Sequence, residues 1–322
     1  MTPNPQLHVV FGAGQVGRFL AGRLVAAGKK VRVVRRSPTS VNVEGVETVQ
    51  ADAGDAAAVA EAVRGATAVF HCLNPAYSTA VWAAELPRIQ TNLVAACARA
   101  GARLVVLDNV YALGKPGGRP LSEVTPPVPC SKKGEIRARV HLDLEDAVRR
   151  GDVRAVTGRA SDFYGPGGAW TQFADRFWKP ALAGRRVAML PNLDQPHTYH
   201  YIPDVAAGLA ALGGDPGAEG TFMLPCRPAV TTRALAERLA AALGRPIAVS
   251  QMSPLLVTLL ALGMPILREI KEMAYQWEEP FVIDDAKFRA SYGDLSTPEE
   301  AAAKATVEWA MVTYGAGAMR ES

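Results

Sequence analysis

The 322-residue chain has little of what disulfide-bonded, membrane-spanning or nucleic-acid-binding proteins require. Its cysteines are few and far apart, with no Cys-x-x-Cys pair: Cys72, Cys97, Cys130 and Cys226. The sequence therefore predicts neither a disulfide framework nor a metal site. The most apolar run, 255–264, is about half of the roughly 20 residues that cross a bilayer, so no membrane span is expected.

Charge of one sign and targeting features are also scarce. The formal net charge is only +4 and no tract is dense in lysine or arginine, so no nucleic-acid partner is expected. Residues 1–5 lack the charged and apolar regions of a signal peptide, which favours a cytoplasmic location. Apolar residues make up 49% of the chain, enough for one large α/β unit with a smaller lobe or for two domains.

What the chain does contain is a glycine-rich motif close to its N-terminus. An apolar run over 7–11 predicts a buried strand, and an amphipathic helix is predicted to follow as far as Gly28. Between them lies a Gly-x-Gly-x-x-Gly turn, and this order of strand, turn and helix is typical of dinucleotide binding. The turn would bring backbone N–H groups and the positive end of the helix to a pyrophosphate. Cofactor contacts are predicted from Gly12, Gly14, Gln15, Val16 and Gly17.

The end of the next strand predicts which dinucleotide binds. The strand covers 31–34 and leads into Arg35, Arg36 and Ser37, where an NAD site usually has an acidic residue for the ribose 2′-hydroxyl. A planar guanidinium suits a phosphate instead. The sequence therefore predicts NADP(H), with these three residues at the 2′-phosphate; the alternative is a pair of solvated surface arginines.

Strand-like and helix-like segments alternate through the first half of the chain. The further predicted strands are 46–49, 68–72, 104–107 and 153–158. The predicted helices are 56–63, with Asp55 as its N-cap, 79–100 and 134–150. Strands that are apolar on both faces and alternate with helices favour a parallel sheet covered on both sides. The predicted fold class is α/β, a Rossmann doubly wound parallel sheet.

The rhythm changes after residue 168, although a late strand over 221–224 is predicted to return to the sheet. We expect a Rossmann domain over 1–168, completed by segments near 200–226, and a smaller, mainly helical substrate lobe over 169–322. Large apolar side chains of that lobe either line a pocket or form its core: Trp170, Phe173, Trp178, Met252, Leu256, Met264, Met273, Tyr275 and Trp277.

Several segments carry a family resemblance that covers nearly the full chain. They are 12–17, 51–55, 69–72, Asn92, 159–167 and 200–205. Together they resemble an extended short-chain dehydrogenase/reductase of the NAD(P)-dependent epimerase/dehydratase type. The resemblance implies a Rossmann domain, a C-terminal substrate lobe and a site in the cleft between them.

The same resemblance implies cofactor contacts and an assembly. Asp52 and Ala53 would contact the adenine. Further cofactor contacts would come from Cys72, Leu73, Asn74, Asn92, Ala160 and Asp162. The family also implies a homodimer through the helices predicted over 79–100 and 134–150.

One departure from the family matters more than the match. The family places a serine or threonine after the fifth strand and a Tyr-x-x-x-Lys pair at the start of the next helix. The tyrosine transfers the carbonyl proton, and the lysine lowers its pKa and holds the ribose. Here Asn109 takes the serine position, while Lys133 and Arg137 take the positions of the tyrosine and the lysine.

Two hypotheses follow from this departure. In the first, the protein is an NADP(H)-dependent oxidoreductase in which Asn109, Tyr111 and Lys133 are catalytic and Arg137 orients ribose or stabilises an oxyanion. In the second, it binds NADP(H) without turnover, as NmrA-like sensor proteins do. Lys133 and Arg137 are then cofactor clamps and Tyr111 is packing. An epimerase or dehydratase is a third possibility.

The individual residues also have structural interpretations. Lys132 and Lys133 are either site residues or solvated charges, and His71 is interpreted as a hydrogen-bonded core histidine. The lobe has no concentration of basic residues, so a neutral, fairly apolar carbonyl compound or enone is favoured over an activated sugar as the small-molecule substrate.

Overall fold

The computed structural model describes residues 6–39, 41–189 and 192–318. The strands are β1 (Leu7–Phe11), β2 (Lys30–Arg35), β3 (Val46–Gln50), β4 (Ala66–His71), β5 (Arg103–Asn109), β6 (Ala155–Ala160), β7 (Asp162–Tyr164), β8 (Val187–Met189), β9 (Pro196–His197), β10 (Tyr199–Tyr201), β11 (Gly220–Met223), β12 (Val230–Thr231) and β13 (Val249–Gln251).

The α-helices are α1 (Gly17–Ala26), α2 (Ala56–Val63), α3 (Thr79–Ala100), α4 (Lys132–Arg149), α5 (Asp175–Leu182), α6 (Ile202–Gly214), α7 (Thr232–Leu243), α8 (Pro254–Gly263), α9 (Pro265–Lys271), α10 (Ala286–Tyr292) and α11 (Glu299–Ala318). Short 3-10 helices cover Tyr111–Leu113 and Ala274–Trp277. No helix within the described ranges combines the length and the apolarity needed to cross a bilayer.

The chain divides into two compact units. The described residues of Met1–Gly114, Pro126–Ala160 and Val205–Leu224 form the first, and those of Lys115–Thr125, Ser161–Asp204 and Pro225–Ser322 form the second.

The first unit is built on a seven-stranded parallel sheet in the order β11-β6-β5-β4-β1-β2-β3. This confirms the predicted Rossmann fold class, including the late strand, which pairs with β6 as β11. Strand order reverses on either side of β1, so the carboxyl end of β1 is the switch point at which such sheets bind ligands. Val9, Phe11, Val69 and Leu104 are fully buried under the helices, as strands covered on both faces require.

Local chemistry explains where the helices begin. Asp55 accepts hydrogen bonds from the N–H groups of Ala57 and Ala58 and caps α2, as predicted. Ser131 accepts from the N–H of Gly134 at 3.0 Å, so α4 begins two residues before the predicted position. The earlier start places Lys133 within the first turn of the helix.

The second unit has an aromatic core and three two-stranded sheets, β10-β7, β12-β9 and β13-β8. Phe173, Phe177 and Trp178 pack edge to face there. The core interpretation therefore holds for Phe173, Trp178, Met273, Tyr275 and Trp277, which are all buried. Trp170 is 89% exposed and does not belong to the core, and the side chain of Leu256 lies outside the described residues.

Candidate dinucleotide and polar site of the first unit

The glycine turn after β1 has the shape of a phosphate cradle. Gly12 has a φ of 99°, and a Cβ on Gly17 would stand 1.8 Å from the carbonyl oxygen of Gly12. At Gly14, by contrast, no atom of the described residues other than Gly14 itself and its two chain neighbours lies within 4 Å of the place that a Cβ would take. Helix α1 follows without a side-chain cap at Val16, so its positive end is left to a ligand. The turn therefore fits a pyrophosphate, which can approach the backbone at Gly14.

The two glycines should respond differently to a methyl group. We expect Gly17→Ala to lower the free energy of unfolding by about 3 kcal/mol, because backbone atoms have to move. Gly14→Ala should stay within about 1 kcal/mol of the unmodified protein, because its methyl meets open space, yet it should weaken dinucleotide binding at least about tenfold. Urea unfolding and calorimetric titration measure the two effects. Unchanged affinity in Gly14→Ala would rule out the cradle.

The residues after β2 form a second polar group at the same edge of the sheet. Arg35 is half-buried and donates from Nη1 to the carbonyl oxygen of Thr39 at 3.0 Å, while Arg36 is exposed. The Ser37 hydroxyl is buried and has no hydrogen-bond partner among the described residues. The N–H of Gly12 donates to the carbonyl oxygen of Val34, which ties this strand end to the cradle. A buried, unpartnered hydroxyl that follows two arginines in the sequence fits an anionic ligand group.

The candidate adenine contacts lie in the loop after β3. Asp52 is exposed and accepts from the N–H of Gly54 at 2.8 Å, which shapes the turn. Asn92 donates from Nδ2 to the carbonyl oxygen of Ala53 at 2.9 Å. The amide of Asn92 therefore ties α3 to this loop.

The segment after β4 adjoins the cradle directly. The N–H of Cys72 donates to the carbonyl oxygen of Phe11 at 2.9 Å. The segment of Cys72, Leu73 and Asn74 therefore begins next to the glycine turn. Burial raises the pKa of the Cys72 thiol to about 12, so this sulfur is a neutral thiol and a poor nucleophile.

Lys133 and Arg137 are both buried, one turn apart on the same face of α4. The Nζ atom of Lys133 lies 4.8 Å from the centroid of the Tyr77 ring. The interpretation of Lys133 as a solvated charge is therefore wrong, because the early start of α4 turns it into the protein; Lys132 is exposed.

Arg137 is held from three sides. Its Nη1 donates to Oδ1 of Asp108 at 3.3 Å, its Nη2 donates to Oδ1 of Asn74 at 2.8 Å, and its Cζ lies 4.6 Å from the centroid of the Trp82 ring. Burial lowers the pKa of Arg137, an effect that the Asp108 carboxylate and the nearby phenols of Tyr111 and Tyr77 oppose. Arginine remains a cation under these conditions.

Asn109 and Tyr111 complete this cluster at the carboxyl end of β5. Oδ1 of Asn109 accepts from the N–H of Tyr111 at 3.0 Å, so the amide nitrogen of Asn109 is the group that can donate to a substrate oxygen. The Tyr111 ring stacks on Trp82, with 6.1 Å between the ring centroids and an interplanar angle of 16°. The phenol thus lies near Arg137, as the charge coupling between them also indicates.

The last two candidate cofactor contacts, Ala160 and Asp162, belong to different units. Ala160 is buried at the end of β6 in the first unit. Asp162 belongs to the second unit, where its Oδ2 is 2.9 Å from Nε2 of His197.

Sequence reasoning missed the residues that hold the cluster together: Tyr77, Trp82 and Asp108. Asp108 carried a signal, because a carboxylate at a strand end next to Asn109 stands at the ligand-binding edge. The sequence gives no such signal at Trp82, because an apolar residue on a helix is expected to belong to the core.

His71 is a hydrogen-bonded core histidine, as interpreted. Its Nδ1 accepts from the N–H of Leu73 at 3.3 Å. Burial, and then the charge of Arg137, lower its pKa to about 4, although Asp108 acts in the opposite direction. The ring is therefore neutral at neutral pH.

This lowered pKa gives the protein an acid-sensitive component of stability. A histidine whose pKa falls from 6.5 on folding stabilises the fold above pH 6.5 and loses that contribution toward pH 4, because the unfolded chain binds the extra proton. Between pH 7 and pH 5 we expect a loss of about 2 kcal/mol.

Urea unfolding of the wild type and of His71→Asn at both pH values measures this loss. His8 and His141, whose pKa values burial also lowers, act in the same direction in both proteins and cancel in the comparison. Equal losses in the two proteins would contradict the assignment to His71.

A doubly wound parallel sheet with a glycine turn at its switch point is the Rossmann arrangement, which is typical of dinucleotide-binding proteins. The chain belongs to the NAD dependent epimerase/dehydratase family, whose model matches residues 8–220. This confirms the family that the sequence resembles.

Among individual proteins, the chain is 31% identical over 244 residues to the (4-alkanoyl-5-oxo-2,5-dihydrofuran-3-yl)methyl phosphate reductase of Streptomyces griseus, covering 74% of each sequence. Family relatives are thus enzymes, and one is a reductase.

Solved structures show the same fold at low identity. The UDP-glucose 4-epimerase of Thermus thermophilus, solved in complex with NAD, superimposes with a TM-score of 0.74 at 22% identity, covering 96% of this chain and 100% of that one. A putative epimerase from Burkholderia cenocepacia gives 0.77 at 19% identity, covering 97% and 100%.

Proposed function

We propose that this protein is an NADP(H)-dependent reductase whose substrate is a conjugated carbonyl compound. The observation that carries the proposal is the cluster in which Asn109, Tyr111 and Arg137 meet at the carboxyl end of β5. The glycine cradle lies at the end of β1, two strands away in the same sheet. Doubly wound sheets bind their ligands at this edge.

The name of the Streptomyces griseus relative supports this reaction type. It describes a reductase acting on an unsaturated five-membered lactone, whose ring double bond is conjugated with carbonyl groups, and which carries a phosphate ester. Such a double bond accepts a hydride, and negative charge then develops on the carbonyl oxygen, where hydrogen-bond donors stabilise it.

Each residue of the cluster has a role in this chemistry. When bound, the nicotinamide supplies the hydride. The amide of Asn109 donates a hydrogen bond to the substrate oxygen, and the phenol of Tyr111 gives its proton to the enolate left by hydride addition, which completes reduction of the double bond. Arg137, fixed by Asp108 and Asn74, keeps a positive charge beside that phenol and takes the place of the family lysine. Lys133 adds a second cation to the cluster, with its ammonium over the ring of Tyr77.

The preference for NADP(H) is proposed from Arg35, Arg36 and the buried Ser37 hydroxyl. Charge-assisted hydrogen bonds contribute about 1.5–3 kcal/mol each, so replacing both arginines by alanine removes about 3 kcal/mol or more and should raise the Kd for NADPH at least about 100-fold. The Kd for NADH should not change. Arg23→Ala, which removes an exposed charge from α1, is the control. Equal affinity for NADPH and NADH in the wild type would refute this cofactor choice.

The proposed proton donor is tested by Tyr111→Phe and Lys133→Met, singly and together. General acid catalysis contributes about 10²- to 10⁴-fold, so Tyr111→Phe should lower kcat at least about 100-fold with an NADPH affinity within about threefold. The double variant should be inactive. NADPH oxidation with an alkanoyl lactone, with and without its phosphate ester, is the assay.

Tyr292→Phe, in α10 of the second unit, is the matched control for loss of a phenol. Methionine keeps the apolar stem of Lys133, so Lys133→Met should fold normally. Undiminished turnover in the double variant would remove both residues from the mechanism.

One observation favours a second candidate, an NADP(H)-binding regulatory protein without turnover. Lys133 holds the position of the family tyrosine and is fully buried, so that position carries no phenol and is closed to solvent. Micromolar NADPH affinity without oxidation across a panel of aldehydes, ketones and enones would favour this candidate over the reductase.

A further inference from the structure

Trp82 contacts both the phenol ring and the guanidinium of the proposed mechanism. It lies in the first turn of α3 and is 1% exposed. The Tyr111 ring stacks on the indole at 6.1 Å, and Cζ of Arg137 lies 4.6 Å from the ring centroid. Tyr77 meets the indole edge to face at 5.5 Å and 85°.

The indole is placed by its ring rather than by its N–H group. Nε1 of Trp82 is buried and has no hydrogen-bond partner among the described residues. A buried indole usually finds such a partner. The stacking contacts with Tyr111, Tyr77 and Arg137 are therefore what orient the ring, and in turn the ring restricts where those groups can lie.

The contact also explains why an arginine suits the position of the family lysine. A planar guanidinium can stack on an aromatic face while the N–H groups of its edge donate in its own plane. Arg137 makes both kinds of contact: its Cζ lies over the Trp82 ring, while Nη1 and Nη2 donate to Asp108 and Asn74. An ammonium group is a point charge and offers no such plane.

We infer that Trp82 is a positioning residue, which holds the Tyr111 phenol and the Arg137 charge beside each other for proton transfer. This inference rests on the proposed function, because it assigns those two groups to the reaction. Trp82 itself touches neither reacting atom in the mechanism and acts through its two neighbours.

A purely structural role for Trp82 has a close control within the same cluster. Leu86 lies one turn further along α3, is also 1% exposed, and packs in the same hydrophobic cluster as Trp82 and Val140. Leu86→Ala therefore removes packing from the same cluster while the indole that stacks on Tyr111 and contacts Arg137 is kept.

The experiment compares Trp82→Leu, Trp82→Phe and Leu86→Ala for melting temperature, kcat and NADPH Kd. Trp82→Leu should lower kcat about 30-fold, because small displacements of catalytic groups have effects of this size. Trp82→Phe, which keeps an aromatic face, should recover kcat to within about fivefold. Leu86→Ala should lower the melting temperature as much as Trp82→Leu while kcat stays within about twofold.

A double-variant cycle with Arg137→Met separates positioning from general damage. If Trp82 acts through Arg137, Trp82→Leu should reduce kcat by less than about threefold further in the Arg137→Met background. The inference would be overturned if the kcat losses of Trp82→Leu and Arg137→Met multiply in full in the double variant, or if Trp82→Leu keeps the kcat of the wild type.

The same variants distinguish failure of the inference from failure of the proposed function. If the wild type binds NADPH but reduces no enone, the reductase proposal fails. Arg137 is then a cofactor clamp positioned by Trp82, so the NADPH Kd should still rise from the wild type to Trp82→Phe and rise further in Trp82→Leu. A Kd that is the same in all three would then overturn the role of Trp82. Absence of both turnover and NADPH binding would overturn both proposals.

Discussion

The first unit depends on one buried carboxylate. Asp108 accepts from Arg137 of α4 at 3.3 Å and from Arg159 of β6 at 3.4 Å, and all three side chains are buried. A buried charge is costly unless it is paired, and removing one partner of such a pair leaves the other without compensation. Asp108 therefore joins β5, α4 and β6 at the edge of the sheet where the glycine cradle also lies.

Around this carboxylate, the phenol lies on a turn and not on the helix that carries the two cations. The family pattern places a tyrosine and a lysine on one face of this helix. This chain keeps two cations on that face, Lys133 and Arg137, and has its phenol on the 3-10 turn after β5. An aromatic ring lies against each cation: Tyr77 against the Lys133 ammonium and Trp82 against the Arg137 guanidinium.

Much of the fold could be predicted because local chemistry marks the ends of its elements. Helix α3 covers the residues expected of it, and Gly101 ends it with a φ of 64°, a conformation that glycine adopts easily. Helix α4 begins two residues before the predicted start, because Ser131 caps it and no apolar periodicity marks Lys132 and Lys133 as helical. The candidate site is harder to predict: the sequence indicates Asn109, Tyr111 and Arg137, but nothing in it distinguishes Trp82 from an ordinary core residue.

The sequence by itself determined the α/β order, the phosphate cradle and the absence of the family tyrosine, because these depend on short-range spacing, glycine geometry and residue type. Only the tertiary structure decided that Lys133 is buried, that Arg137 pairs with Asp108, and that both Arg137 and Tyr111 rest on Trp82. Such contacts join residues 29 or more positions apart, and their geometry follows from how α3 and α4 pack on the sheet rather than from any local pattern.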